Sequence, residues 1–473
     1  MNKAQSILTR KQEILKKAID VDFVKYRQSD IAFDYEKMME ETGYPIEEAI
    51  RIQRSLGVGS TPMIELANIN RLIKRLSLSG FGARIFLKDE ACNLSGSFKA
   101  RRAAISVYHA KKLGYQGVIA ATSGNYGAAV AAMCAKLNMK CIIVQECFDS
   151  KGVYQPEIVE KARAIEAYGA EVVQCSVGPE LFVVFLDLLD QTGYFNASLY
   201  SPYGIAGLET LGLECVEDIR WLTGKDPSAI VVTHAGGGNL TATARGAKKA
   251  GCHCQIIGAS VDLHGLHMAS DVDFNRKSFT TGHTGFGFPF AIYPDRSDVI
   301  YSAARALRYM DRYVLVKQGE VFYMTEALAK VEGMERGPAG NTSLAAAFSL
   351  AQTMKDDEII VVQETEYTGA GKHVNAQLSF AKNNGIELLT GDPKNEIAGV
   401  NIVLPSHFKE IVAQEIDLNQ LRTSYLKQQV KMHPAHVFSD SDLDYLSKEC
   451  NVEKEWIEKT IGELKGVSYE TQG

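Results

Sequence analysis

A chain of 473 residues exceeds one ordinary domain, and 46% hydrophobic with 23% charged residues is the composition of a soluble multidomain protein. A net charge of −6 argues against nucleic acid or an anionic membrane surface as the main partner. No apolar run reaches the ~18 residues of a spanning helix, and nine scattered cysteines fit reduced thiols in the cytoplasm better than a disulfide framework.

The first 60 residues read as a helical extension. "MNKAQSILTRKQEILKKAIDVDF" spreads charges among its apolar positions, so it reads as an amphipathic helix packed on its own protein or a partner, and not as a secretory signal. After it, seven apolar runs read as buried parallel strands: "ARIFLKD" (83–89), "GVIAAT" (117–122), "CIIVQE" (141–146), "EVVQC" (171–175), "AIVVTH" (229–234), "QIIGAS" (255–260) and "EIIVVQET" (358–365). Helical patterns such as "GAAVAAMCAKLN" separate most of them, an alternation that implies parallel sheets covered by helices. Beyond residue 400 the chain reads as helical and charged, with Ser439 or Ser441 as a helix cap. Cys252 and Cys254 flank His253, but no second CxC or CxxC completes a set of about four zinc ligands, so no metal site is expected.

Three turns follow predicted strands and open helices, and in open α/β sheets such turns converge at the carboxyl ends of the strands. The first, "SGSFKARRAA", puts Lys99 at a helix start, where the dipole disfavours a cation. Burial and that dipole can lower a lysine's pKa and make it a nucleophile for a Schiff base; taken alone, the string favours an ordinary surface lysine. The second, "ATSGNYGAAVAAM", offers Ser123, Asn125 and Tyr126; Asn125 has a donor and an acceptor for a planar ligand's oxygen, and either it or Ser123 could simply cap the helix. The third, "THAGGGNLTATARG", places Gly236, Gly237, Gly238, Asn239 and Leu240 at a helix start, where backbone N–H groups can cradle a phosphate. It is neither GxGxxG nor a P-loop. An aldehyde for the lysine, a phenolic oxygen for the asparagine and a phosphate for the glycines together describe pyridoxal 5'-phosphate (PLP).

In this order of motifs the chain resembles the fold-type-II, tryptophan-synthase-β-like family of PLP enzymes over roughly residues 58–375. "GVGSTPMIEL", "GIAGLETLGLE" with Gly207, Thr210 and Glu214, and "VEGMERGPAG" with Glu332, Gly333 and Pro338 are similar to further segments of that family. The resemblance implies an α/β protein with two open parallel-sheet domains and the cofactor between them. The expected borders are 1–60 for the N-terminal extension, 61–98 with 226–400 for the large PLP domain, 99–225 for the small domain and 401–473 for a helical C-terminal extension. It implies Lys99 as the Schiff-base lysine, with Asn125, Gly236–Gly238, Asn239 and Leu240 around the cofactor. A residue facing the pyridine nitrogen should follow the last core strand, where Glu364, Thr365 and Thr368 all stand; a carboxylate there would strengthen the electron sink and a hydroxyl would not. Ser97, Thr122, Ser123, Tyr126, His267 and His283 are candidates to meet the substrate, and His264 shares the loop of His267. Arg101 and Arg102 could serve a carboxylate, a neighbouring chain or the fold.

Longer stretches, among them "VQECFDSKGVYQPEIVEKARAIEAYGAEVVQ" and "VVQETEYTGAGKH", are similar to a branch of the family that cleaves a small amino-keto acid with coenzyme A. That branch implies a small α subunit as partner and dimerisation of this chain. Ala100 stands where an acidic residue is expected after the lysine. The alternative is an ammonia-lyase, dehydratase or threonine-synthase-like enzyme acting on a small amino acid.

Overall fold

The computed structural model describes residues 3–122, 124–148, 152, 154, 156–176, 180–266, 277–281, 298–367 and 373–466. In chain order the strands are β1 (Met63–Glu65), β2 (Arg84–Asp89), β3 (Gly117–Thr122), β4 (Lys140–Phe148), β5 (Glu171–Ser176), β6 (Phe195–Asn196), β7 (Ala229–Thr233), β8 (Gln255–Val261), β9 (Arg312–Val316), β10 (Ile359–Glu364), β11 (Glu387–Thr390), β12 (Asn401–Leu404) and β13 (Gln414–Ile416). Seven form one sheet in the order β1-β2-β10-β7-β8-β9-β13, four form a second in the order β5-β4-β3-β6, and β11 pairs with β12. The four-stranded sheet is parallel throughout. In the large sheet only the edge strands β1 and β13 run antiparallel.

Each of the seven expected apolar runs is a strand. The residues of β3, β10 and most of β7 are buried on both faces, as parallel strands sandwiched by helices require. The large sheet's core takes Ile85, Leu87, Val231, Ile257, Val314, Ile360 and Val362 against Leu344 and Phe348 of helix Pro338–Ala351. The chain leaves the large sheet after β2, builds the small sheet, and returns at β7 through helix Pro202–Thr223. This long helix lies against helices Lys99–Lys112 and Gly238–Lys249 at glycine contacts. A Cβ on Gly207 would stand 2.5 Å from the Arg101 carbonyl oxygen, and Cβ atoms on Gly212 and Gly246 would collide with the backbone of Thr243 and Glu209.

Both extensions pack on their own chain. The N-terminal helices Lys3–Thr9 and Lys11–Ile19 bury Ile7, Ile14 and Leu15 with Phe185 and Leu186 of the small unit, and Lys3 and Arg10 pair with Asp187 and Asp190 at 2.6 and 2.8 Å. The segment after residue 400 differs from an all-helical expectation: it opens with β12 and β13, and β13 closes the edge of the large sheet. Three helices follow, Leu418–Met432, Asp440–Cys450 and Lys454–Lys465, the second capped by Ser439 in a capping box with Asp442. Glu449 on that helix takes Arg305 at 3.2 Å and also pairs with Arg308. Among the described residues no helix is long and apolar enough to cross a membrane.

Candidate active site

Four chain segments meet where strands of both sheets end. After β2, residues 96–98 zip against residues 365–367 beyond β10: Phe98 N–H donates to the Thr365 carbonyl at 3.0 Å and Tyr367 N–H to the Gly96 carbonyl at 2.8 Å. Ser97 and Glu366 face each other across that antiparallel bridge. From the other sheet, Asn125 at the start of helix Asn125–Leu137 donates its amide to the Glu366 carboxylate. From β7, the glycine turn closes on the face of helix Lys99–Lys112, where a Cβ on Gly238 would stand 2.6 Å from Arg102 Nη2. The Tyr200 hydroxyl approaches Gly236 so closely that a Cβ there would collide with it.

These contacts set the turns of Ser97 and Lys99, of Asn125, of Gly236–Gly238 with Asn239, and of Glu364 and Thr365 next to one another. Lys99 is half-buried at the first position of its helix, its amine 5.6 Å from the centroid of the Phe98 ring. Gly237 takes φ +83°, a left-handed conformation natural to glycine, and it caps helix Gly238–Lys249. The first turn-to-helix bond is Thr241 N–H to Gly237 O at 3.0 Å, which leaves the N–H groups of Gly238, Asn239 and Leu240 outside the helical ladder. Asn239 is held from below by donating to Gln363 at 2.9 Å. The Leu240 side chain is wholly buried and reaches toward Gly258, so only its backbone is available to a ligand.

Among the described residues, the buried atoms Ser95 Oγ, Ser97 Oγ, Asn125 Oδ1, Asn239 Oδ1 and Arg102 Nε have no hydrogen-bond partner. Native interiors satisfy nearly all such groups, so these orphaned atoms on neighbouring turns have hydrogen-bonding capacity left for a polar ligand. PLP fits it: an amine for its aldehyde, an amide for its phenolic oxygen, and a glycine-lined helix start for its phosphate.

Glu364 is fully buried at the end of β10, and among the described residues neither carboxylate oxygen has a hydrogen-bond partner. Burial first, then the neighbouring Glu366 and Asp89, hold its carboxyl well above the usual range. Asp89 itself is gripped by Arg336 at 2.8 and 2.5 Å. Thr365 is buried, and Thr368 lies outside the described residues.

The other candidates are placed differently. Thr122 accepts from Gly124 N–H at 3.2 Å inside its own turn. Tyr126 is buried and donates to the Ala197 carbonyl at 2.8 Å, and burial pushes its phenol far above the ordinary value, so its hydroxyl has structural work. His264 is exposed and accepts from Ala398 N–H at 3.4 Å. Ser123, His267 and His283 lie outside the described residues.

Arg101 belongs to the fold. Its guanidinium, wholly buried, donates to both oxygens of Glu90 at 2.8 Å and to Glu214 at 3.0 and 2.8 Å, with Thr210 at 3.0 Å. The segment around Gly207, Thr210 and Glu214 is therefore the receptor of this arginine. Burial pulls the Glu214 carboxyl up, but Arg101 and Lys88 outweigh that and hold it well below the usual range. Glu332 caps helix Ala67–Leu76 by accepting from Asn68 and Ile69 N–H groups at 2.8 and 2.7 Å.

Two residues in contact with the predicted turns escaped the sequence reading. Glu366, whose carboxylate meets Asn125, sits in "QETEY" with no spacing signal; Tyr200 sits in an unremarkable turn.

Comparison with known proteins identifies the family. Residues 54–366 match the family described as "Pyridoxal-phosphate dependent enzyme". A protein of Acetoanaerobium sticklandii named 2-amino-4-ketopentanoate thiolase beta subunit is 62% identical over 97% of this chain and 98% of its own length. A threonine synthase of a Bacillus species is 25% identical over 64% of this chain and 80% of its own. The crystal structure of a serine racemase from Dictyostelium discoideum superposes with a TM-score of 0.53 at 22% identity, covering 68% of this chain and 96% of that one. The chain therefore belongs to the pyridoxal-phosphate dependent enzyme family, with the fold-type-II architecture and PLP as its cofactor.

Proposed function

We propose that this chain is the PLP-bearing β subunit of a thiolase that cleaves 2-amino-4-oxopentanoate with coenzyme A to alanine and acetyl-CoA, a cytoplasmic step of ornithine degradation. The observation that carries the proposal is the extent of the thiolase match: 62% identity runs through both terminal extensions, whereas the threonine synthase match covers 64% of the chain.

Bound PLP supplies an electron sink for a carbanion at the substrate's α-carbon. The chain supplies the rest. Lys99 holds the cofactor before substrate arrives and, once released, its amine carries the α-proton. Asn125 fixes the ring's orientation from the small sheet, and Glu366 fixes Asn125. Ser95 and Ser97, with orphaned hydroxyls beside Lys99, are placed to take the substrate carboxylate. No cysteine is poised as a nucleophile in the crevice: burial and a hydrogen bond to Asp89 raise the Cys92 thiol above its ordinary pKa, the reverse of activation. That fits a reaction whose thiol arrives with coenzyme A. The relative's designation as a β subunit supports a separate partner chain; we infer a small α subunit and pairing of β chains.

The test is to purify this chain with its candidate partner and supply the amino-keto acid with coenzyme A. Acetyl-CoA and alanine are expected in equal amounts, dependent on both chains. Ammonia released without coenzyme A, with an unsaturated five-carbon oxo acid in place of alanine, would establish the lyase alternative instead.

A further inference from the structure

Lys99 and Arg102 are three positions apart in one helix and so share a face. That face looks onto the glycine turn. Arg102 is 3% exposed, and its guanidinium packs on Gly238, the first residue of helix Gly238–Lys249. Among the described residues its hydrogen bond goes from Nη1 to the Leu199 carbonyl at 2.6 Å, and Nε is a buried donor with no acceptor. Among the described residues no carboxylate pairs with it. A buried cation without a counter-ion is costly, and proteins rarely retain one. Here it lies beside N–H groups left outside the helical ladder, which favour the same charge of ligand.

We propose that Arg102 is the charge partner of the cofactor's phosphate, so that this chain grips the phosphate with a guanidinium in addition to the glycine turn. The missing counter-ion of Arg102 is the phosphate dianion, and the Leu199 carbonyl fixes the fork so that Nη2 and Nε stay available. A substrate carboxylate is the competing anion. Contact with Gly238 favours the phosphate, because that glycine belongs to the cup.

The test compares PLP with pyridoxal, which differ only in the phosphate, and needs no catalysis. Apoprotein is titrated with each aldehyde, and binding is read from tryptophan and cofactor fluorescence. In Arg102→Gln, which keeps a donor for Leu199 but loses the charge, PLP affinity should fall about 100-fold while pyridoxal affinity is unchanged. Arg102→Lys, a point charge without the fork, should fall about 10-fold, again for PLP alone. Equal losses for the two aldehydes would make Arg102 a structural residue and overturn the proposal; so would unchanged PLP binding. If the glutamine variant does not fold, the lysine variant's PLP-to-pyridoxal ratio decides by the same criterion. The result is independent of the thiolase reaction, so either reading can fail without the other.

Discussion

Arg101 and Arg102 are neighbours in one helical turn, both buried, and their surroundings are opposite. Around Arg101 the charges close: two carboxylates, a threonine and a lysine satisfy one another between β2 and helix Pro202–Thr223. Around Arg102 they stay open, with an unmatched guanidinium, orphaned amide and hydroxyl oxygens, and bare N–H groups at a helix start. The closed region joins the two sheets. The open region keeps binding capacity for something the chain does not itself supply. Burial is common to both, so completeness of pairing, and not burial, separates scaffold from site.

Four measurements would break or sharpen that contrast. The largest effect belongs to Lys99, in the open region. Lys99→Ala should lower turnover by on the order of 10^3, and borohydride should no longer fix a pyridoxyl group to the protein; a peptide map placing the wild-type label on another lysine would refute the assignment. Next comes the closed region. Glu90→Gln strips a carboxylate from a fully buried pair and should cost about 3 kcal/mol in urea unfolding, with little change in the bound cofactor's spectrum. A large spectral change would show that the two regions are not separate.

The third is a pH dependence. His234, just before the glycine turn, is buried, and that burial holds its imidazole down to about 4. The unfolded chain takes the proton near 6.5 and the folded one does not, so this contribution is whole above about 6.5 and is lost as pH falls toward 4. Below about 4.5 the depressed Glu214 carboxyl adds a second loss of the same sign. The wild type should lose on the order of 3 kcal/mol between pH 6.5 and 4 that His234→Phe does not; parallel profiles would count against a neutral buried His234. The smallest effect is Asn125→Ala, expected to shift the visible absorption of bound PLP and cost about 10-fold in turnover while leaving the unfolding midpoint near that of wild type.

The fold was legible where burial is two-sided. Runs such as "GVIAAT" and "EIIVVQ" have no polar face and announce parallel strands. The edges were not legible: β1 and β13 have three residues each, mix charge with apolar side chains and carry no period long enough to read. β13 in particular hid inside an apparently helical tail. The placement of Lys99, Asn125 and the glycine turn could be read because each follows a strand and opens a helix. The partners of Arg101 could not, because Glu214 lies 113 residues away and only the packing of two helices across Gly207 brings it near. Nor could orphaned atoms be read, since a missing hydrogen bond has no counterpart in a string of letters.

The place of β10 in the large sheet has a consequence for biosynthesis. It lies between β2 and β7 and pairs with both, although it is made after nearly 360 residues of chain. Until it leaves the ribosome, the turn bearing Lys99 and the turn bearing the glycines have no common strand to align them. The two turns proposed to anchor the cofactor are made early and come into register late. Loading with PLP is therefore an event of the nearly finished chain, and a nascent chain ending before Ile359 should be released colourless.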